Sequence, residues 1–265
     1  MKRGCLIFAF NGAFDYVTLA NHSARNIKRH LDLPTSVITN KDITFQHNFD
    51  QVIITNKPTS SNRYFIDIKK TEKWINGDRC NAYELSPYDD TILLDADYVV
   101  SSDILTKLFS CNSEILYHKH SIDVVGNEVF ERTLNKFGVF SMPMYWATVM
   151  FFKRSEYVST FFDVMKMVQR NYVHYSQLYN FSPAPFRNDY ALSITDLLMS
   201  GHFINDNNKI SWNLVASMPG DEIMQLGDDK YEIKFNENKE CILVNHQDLH
   251  VMGKMNLKDI YEYHR

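Results

Sequence analysis

Apolar positions along the chain change period from segment to segment, and the changes mark out its elements. Cys5 to Phe10 is a continuous apolar run closed by Asn11-Gly12, which predicts a strand buried on both faces. From Tyr16 to Leu31 the spacing of Ala20, Ala24, Ile27 and Leu31 becomes helical, and Pro34 stops the pattern. Ser36 to Thr39 and Val52 to Thr55 are short β-branched runs bounded by Asn and Lys. A strand, helix, strand, strand opening is typical of alternating α/β layers.

Beyond the polar stretch Asn56 to Asn62, a helix is expected near Lys70 to Leu85, followed by the turn Ser86-Pro87-Tyr88-Asp89-Asp90. That turn delivers a strand, Thr91 to Leu94, which stops abruptly at Asp95. Ser102 is placed to cap a helix through Phe109, with Leu105 and Leu108 inward. Strands are expected at Glu114 to Tyr117 and Trp146 to Phe152, and a helix where Val158, Phe161, Phe162, Met165, Val168 and Tyr172 keep helical spacing. A Pro-containing loop from Phe181 to Asn188 leads to a helix starting near Asp189. The last third reads as short strands with a hairpin corner at Gly227-Asp228-Asp229, a strand at Cys241 to Val244 and a short helix from Leu257. No repeat or linker divides the chain, so residues 1–265 read as a single α/β domain.

Composition narrows the function classes. With 45% apolar and 14% aromatic residues the chain can bury a substantial core. Its 28 basic residues against 32 acidic ones give no global basic field for DNA or an anionic membrane, which disfavours nucleic acid as a partner. Cys5, Cys80, Cys111 and Cys241 form no CxxC pair, which argues against a zinc knuckle or a disulfide framework and for reduced, mostly packed thiols. The first apolar run is too short for a signal-peptide core, and no later one is long enough to span a bilayer. A soluble cytoplasmic protein is expected.

The candidate chemistry centres on Asp95 and Asp97, which flank one small residue where an apolar strand ends. Open α/β sheets place their ligand crevice at such strand ends. As a pattern Asp-x-Asp is weak, expected about once by chance in a chain of this length. Its setting says more: Thr91 to Leu94 precedes it and Tyr98-Val99-Val100 resumes the apolar run, so the two acids need partners or a cation to offset desolvation. Downstream, His250, Gly253 and Lys254 group an imidazole, a residue that admits close backbone approach and a point charge for phosphate. Oxygen and imidazole ligands together suit Mn2+, with Mg2+ as the alternative and zinc less suited. A zinc pair of His246 and His250 on one helix face is disfavoured by Gly253 and the β-branched run before it. By pattern alone Arg79 reads slightly better as a solvated arginine than as a ligand, and Asp189 as a favourable charge or cap at a helix start. Tyr145, Trp146, Phe151 and Phe152 read as core.

These blocks, in this order, resemble the glycogenin-like, family-eight glycosyltransferases with a GT-A fold, a Rossmann-like α/β fold for nucleotide-diphospho-sugars with a mixed central sheet flanked by helices. The resemblance runs over nearly the whole chain in five short blocks. Asn11 matches the Asn that ends the family's first strand, with Phe14 at the position of the base-stacking aromatic and Tyr16 as the fallback. Arg79 stands sixteen positions before the first Asp, where the family usually has Lys. The run Asp95-Ala96-Asp97-Tyr98-Val99-Val100-Ser101-Ser102-Asp103-Ile104-Leu105 is similar to the Asp-Ala-Asp block, and His250, Gly253 and Lys254 match the closing His-x-x-Gly-Lys pattern. Two blocks depart: Ala147-Thr148-Val149 replaces Asn-Ser-Gly, and Asn188-Asp189-Tyr190 replaces Gly-Asp-Gln. The chain also resembles proteins of large tailed phages.

The resemblance implies a UDP-sugar donor and retention of anomeric configuration. It implies Asp95, Asp97 and His250 as metal ligands, with Asp97 in closest contact and Asp95 shared with the ribose. Asn11, Phe14, Tyr16, Arg79, Gly253 and Lys254 are implied as donor-binding residues, and Asp189 as the residue that orients the donor sugar or serves the reacting face. Sugar, protein, lipid headgroup and modified DNA base all remain open as acceptors. Two other readings compete. A sugar nucleotidyltransferase would want a Gly- and basic-rich phosphate loop after the first strand, which Asn11-Gly12-Ala13-Phe14-Asp15 does not supply. A non-catalytic nucleotide-sugar-binding or virion-associated protein would tolerate the altered blocks.

Overall fold

A computed structural model describes residues 1–12, 14–55, 59–65, 69–75, 77–129, 136–137, 142–181, 186–204, 206–227, 229–235 and 240–253. Six strands make one mixed sheet in the spatial order Gln51–Ile54, Thr35–Thr39, Arg3–Phe8, Asp90–Leu94, Trp146–Lys153, Ile115–His118. The first four are parallel, and Trp146–Lys153 runs antiparallel to both of its neighbours. Helices flank the sheet. Its central strands are buried on both faces, with Cys5, Leu6, Ile7, Ile92, Leu93, Leu94, Phe151 and Phe152 all inaccessible, which is why the sequence shows unbroken apolar runs there instead of alternation.

After Arg3–Phe8 the chain passes through the Tyr16–Leu31 helix to Thr35–Thr39 on one side, while Asp90–Leu94 pairs on the other. The direction of strand succession reverses between these two neighbours, and sheets of this kind take their ligands beyond the carboxyl ends of the strands at such a point. Asn11 follows one strand end and Asp95 the other. Asp15 caps the helix, its carboxylate accepting from Thr18 N at 3.1 Å.

A second sheet lies beyond those ends, in the order Tyr98–Val99, Leu249–Val251, Leu214–Ser217, Ser121–Asp123. A three-stranded antiparallel meander, Glu222–Gly227, Lys230–Phe235 and Glu240–Asn245, completes the described part of the last third. Its first turn falls at the expected hairpin corner, of which Asp228 lies outside the described residues. The expected helix from Leu257 also lies outside them.

Several expectations need correction. Lys70–Trp74 is a strand, paired antiparallel with Ser61–Phe65, and only Ala82–Leu85 of the expected helix is α-helical, after a 3-10 turn at Gly77–Asn81. Gly77, where the 3-10 turn begins, packs closely on its neighbours: a Cβ there would sit 2.9 Å from Thr59 Cβ and 2.8 Å from Gln169 Nε2. The first strand ends at Phe8, although burial continues through Phe10. Ile104–Ser110 is a 3-10 helix with Leu105 and Leu108 buried as expected, but its cap position is Asp103 and not Ser102, whose Oγ accepts from Ile104 N at 3.3 Å from one position further out. The run to Tyr172 is two helices, Glu156–Arg170 and Tyr172–Leu178, parted at Asn171, whose side chain donates back to Met167 O at 2.8 Å.

Cys5 and Cys80 are buried, Cys111 is half-buried and Cys241 is exposed, so only part of the expected thiol packing is met. Among the described residues no helix is long and apolar enough to cross a membrane.

Candidate metal centre

Asp95 is fixed first by its backbone. Its N–H donates to Thr148 O of the antiparallel neighbour at 2.9 Å, and its carbonyl accepts from Tyr98 N at 3.1 Å, which folds residues 95–98 into a tight turn with Asp97 inside it. Tyr98–Val99 then pairs antiparallel with Leu249–Val251, Tyr98 opposite His250, while Val251 N donates to Asp97 O at 3.0 Å. This short ladder is what carries a distant histidine to the aspartates. His250 Nε2 lies 3.6 Å from Asp97 Oδ1. One ligand atom from each of Asp95, Asp97 and His250 falls within 4.8 Å of the others. Asp97 and His250 are buried and Asp95 is half-buried, with the Trp146 ring edge-on to the imidazole at 6.4 Å.

Two carboxylates and an imidazole in that space could hold a divalent cation. His246 takes no part. It sits at positive φ before the strand, 3.7 Å from Asp229, so it does not share a helix face with His250.

Arg79 is not a solvated arginine. It is 1% exposed, and its guanidinium donates to Asp95 Oδ1 and to the Ala147 carbonyl. The Ala147 N–H donates to Asp189 Oδ1 at 2.9 Å, and Arg187 donates to Asp189 Oδ2 at 3.2 Å. The two backbone polar groups of one residue, Ala147, therefore link the Asp95–Arg79 pair to Asp189. Asp189 stands in the first turn of the Asn188–Met199 helix, where its charge is favourable, but the cap position is Arg187 and the carboxylate is turned to Ala147. Tyr145, Trp146, Phe151 and Phe152 are core, as expected.

At the other strand end, Asn11 is exposed, donates to Asp15 Oδ1 at 2.8 Å and accepts from Val17 N at 2.9 Å, so it braces the helix start. Phe14 and Tyr16 are half-buried with their rings edge to face at 6.1 Å. Gly253 is buried two residues after the Leu249–Val251 strand, and Lys254 lies outside the described residues.

Two buried groups beside the centre carried no usable sequence signal. Asp248 accepts from Ser101 N at 2.8 Å, Ser102 Oγ at 2.9 Å and Tyr98 Oη at 3.1 Å. Burial holds its pKa above the ordinary carboxylate value against the opposing pull of those donors. His118 is fully buried, and because Trp212 O can only accept, its Nδ1 carries the proton in their 3.0 Å bond. Desolvation lowers its pKa to about 4, so it is neutral at physiological pH.

No protein-family model matches the sequence, and no curated protein matches it either. Among solved structures, the chain is similar to the glycosyltransferase GlyE of Streptococcus pneumoniae TIGR4, with 13% identity and a TM-score of 0.44 over 80% of this chain and 46% of GlyE. It therefore spans less than half of the GlyE chain. It is also similar to an active-site mutant of LgtC, with 12% identity and a TM-score of 0.48 over 72% of this chain and 70% of that one. A third likeness is to the bifunctional glycosyltransferase WbbM, with 16% identity and a TM-score of 0.37 over 63% of this chain and 34% of that one.

Proposed function

We propose that this chain is a metal-dependent glycosyltransferase of GT-A type that moves a sugar from a nucleotide-diphosphate sugar, a UDP-sugar, to an acceptor with retention of configuration. The observation that carries the proposal is the convergence of Asp95, Asp97 and His250 within 4.8 Å. They meet beyond the carboxyl ends of the strands where the sheet reverses direction, which is where α/β sheets of this kind take their ligands.

Breaking a glycosyl phosphate bond leaves charge on the departing diphosphate, and a site accelerates the step by neutralising that charge more in the transition state than in the ground state. Asp95 and Asp97 carry two negative charges, which Arg79 reduces to one. A divalent cation on Asp95, Asp97 and His250 turns that balance positive, as an anionic leaving group requires. Mn2+ suits the mixed oxygen and imidazole set, with Mg2+ the alternative. When bound, the cation supplies Lewis-acid stabilisation of the diphosphate oxygens.

The remaining roles belong to the chain's own groups. Arg79, with Asp95 and Ala147 O as its partners, holds the Asp95 carboxylate in place and offsets its charge. Asp189, steadied by Ala147 N and Arg187, orients the donor sugar or serves the reacting face. Asn11, Phe14 and Tyr16 hold the nucleoside at the neighbouring strand end. Lys254, following the buried Gly253, holds the diphosphate.

The test is release of nucleotide from a panel of nucleotide sugars with Mn2+. UDP release from at least one UDP-sugar is expected. Pyrophosphate released from a nucleoside triphosphate would make the chain a nucleotidyltransferase, and tight binding without turnover would make it a non-catalytic binder.

A further inference from the structure

We propose that Asp248 is a positioning residue of the metal centre, a clasp that fixes the register in which His250 meets Asp97; this rests on the reading of Asp95, Asp97 and His250 as metal ligands. The ligands arrive on two segments far apart in sequence that run antiparallel, 97–101 against 251–248. At the metal end Val251 N donates to Asp97 O at 3.0 Å, and in the middle Tyr98 and Val99 oppose His250 and Leu249. At the far end the Asp248 side chain takes over from backbone pairing. Its Oδ1 accepts from Ser101 N at 2.8 Å and from Ser102 Oγ at 2.9 Å, and its Oδ2 accepts from Tyr98 Oη at 3.1 Å. All three donors belong to the segment that leaves Asp97.

A ladder of two residue pairs specifies its own register weakly, and a slip of one residue turns each side chain to the opposite face. Such a slip would carry His250 about 3.4 Å along the strand, whereas a metal–ligand distance tolerates about 0.2 Å. Register is therefore the quantity on which the third ligand depends. The carboxylate is an expensive way to fill a buried site, because removing it from water costs free energy that only good hydrogen bonds offset. An apolar residue of similar volume would fill the space and leave Ser101 N and the Tyr98 hydroxyl without this acceptor. What the carboxylate adds is direction: three bonds that can be made together in one register.

Mn2+ alone, titrated into the whole protein and followed by the electron paramagnetic resonance of the free ion, tests the proposal. Asp248→Leu is expected to weaken Mn2+ binding by about 10- to 100-fold, the range seen when groups that orient ligands are removed. Asp248→Asn keeps an acceptor oxygen for Ser101 N and Ser102 Oγ and is expected to stay within about threefold of wild type on the same scale. Binding is measured well below each variant's thermal midpoint, so that lost stability alone does not move it. Should Asp248→Leu fail to fold, the double variant Tyr98→Phe, Ser102→Ala removes two of the three donors and is expected to weaken Mn2+ about fivefold or more. A folded Asp248→Leu, or failing that the double variant, with wild-type Mn2+ affinity overturns the clasp while leaving the metal centre intact. Wild-type protein that takes up no Mn2+ overturns the metal-centre reading and the clasp with it.

Discussion

At the residue scale, the groups around the centre are defined by what burial does to them. His118 is held neutral, its pKa lowered from 6.5 to about 4, while in the unfolded chain it titrates normally. Between those values the unfolded state binds more protons than the folded one, so stability falls as the pH drops from about 6.5 to about 4. The loss attributable to this one group is about 3 kcal/mol if the shift is fully realised. Urea unfolding across that range checks it: His118→Asn is expected to flatten the acid limb of the profile relative to wild type.

The same scale shows why parts of the site were not legible. Arg79 in Asn76-Gly77-Asp78-Arg79 has the look of a solvated turn, because the partners that bury it, Asp95 and the Ala147 carbonyl, are 16 and 68 residues away. Asp248 is equally silent in sequence, since a lone acid before a short strand is ordinarily at the surface.

At the element scale, strands buried on both faces were readable because nothing but an apolar run survives there, and Cys5 to Phe10, Thr91 to Leu94 and Trp146 to Phe152 all proved to be core. Helical spacing was readable in the helices that became Tyr16–Leu31 and Glu156–Arg170. Lys70–Trp74 misled because every one of its residues before Trp74 is exposed, which leaves no buried face to detect.

Close approaches between elements were invisible as well. Gly4 lies on the first strand under the Tyr88 ring, whose hydroxyl bonds Ser36 Oγ at 2.8 Å, and a Cβ there would come within 2.4 Å of ring carbons. Gly4→Ala is therefore expected to cost about 2 kcal/mol through overpacking. In a Tyr88→Leu background the same substitution should cost clearly less, a coupling that denaturation midpoints of the four proteins measure.

At the scale of the whole molecule, the site is a product of topology. Strand succession reverses between Arg3–Phe8 and Asp90–Leu94, and the second sheet pairs the Leu249–Val251 strand with Tyr98–Val99 just after the end of Asp90–Leu94. Order of blocks in the sequence pointed to His250, but the pairing that delivers it joins segments about 150 residues apart and leaves no local trace. The central claim is that Asp95, Asp97 and His250 hold a cation that the reaction needs. Asp97 is the residue to remove, because it is buried, lies 3.6 Å from His250 and makes its one described backbone contact with the strand through its carbonyl, which substitution leaves in place. The most direct measurement is Mn2+-dependent hydrolysis of a UDP-sugar by wild type and Asp97→Ala at matched folding, judged by circular dichroism. Loss of turnover by orders of magnitude in Asp97→Ala, with the fold retained, is the predicted result; turnover equal to wild type would contradict the account.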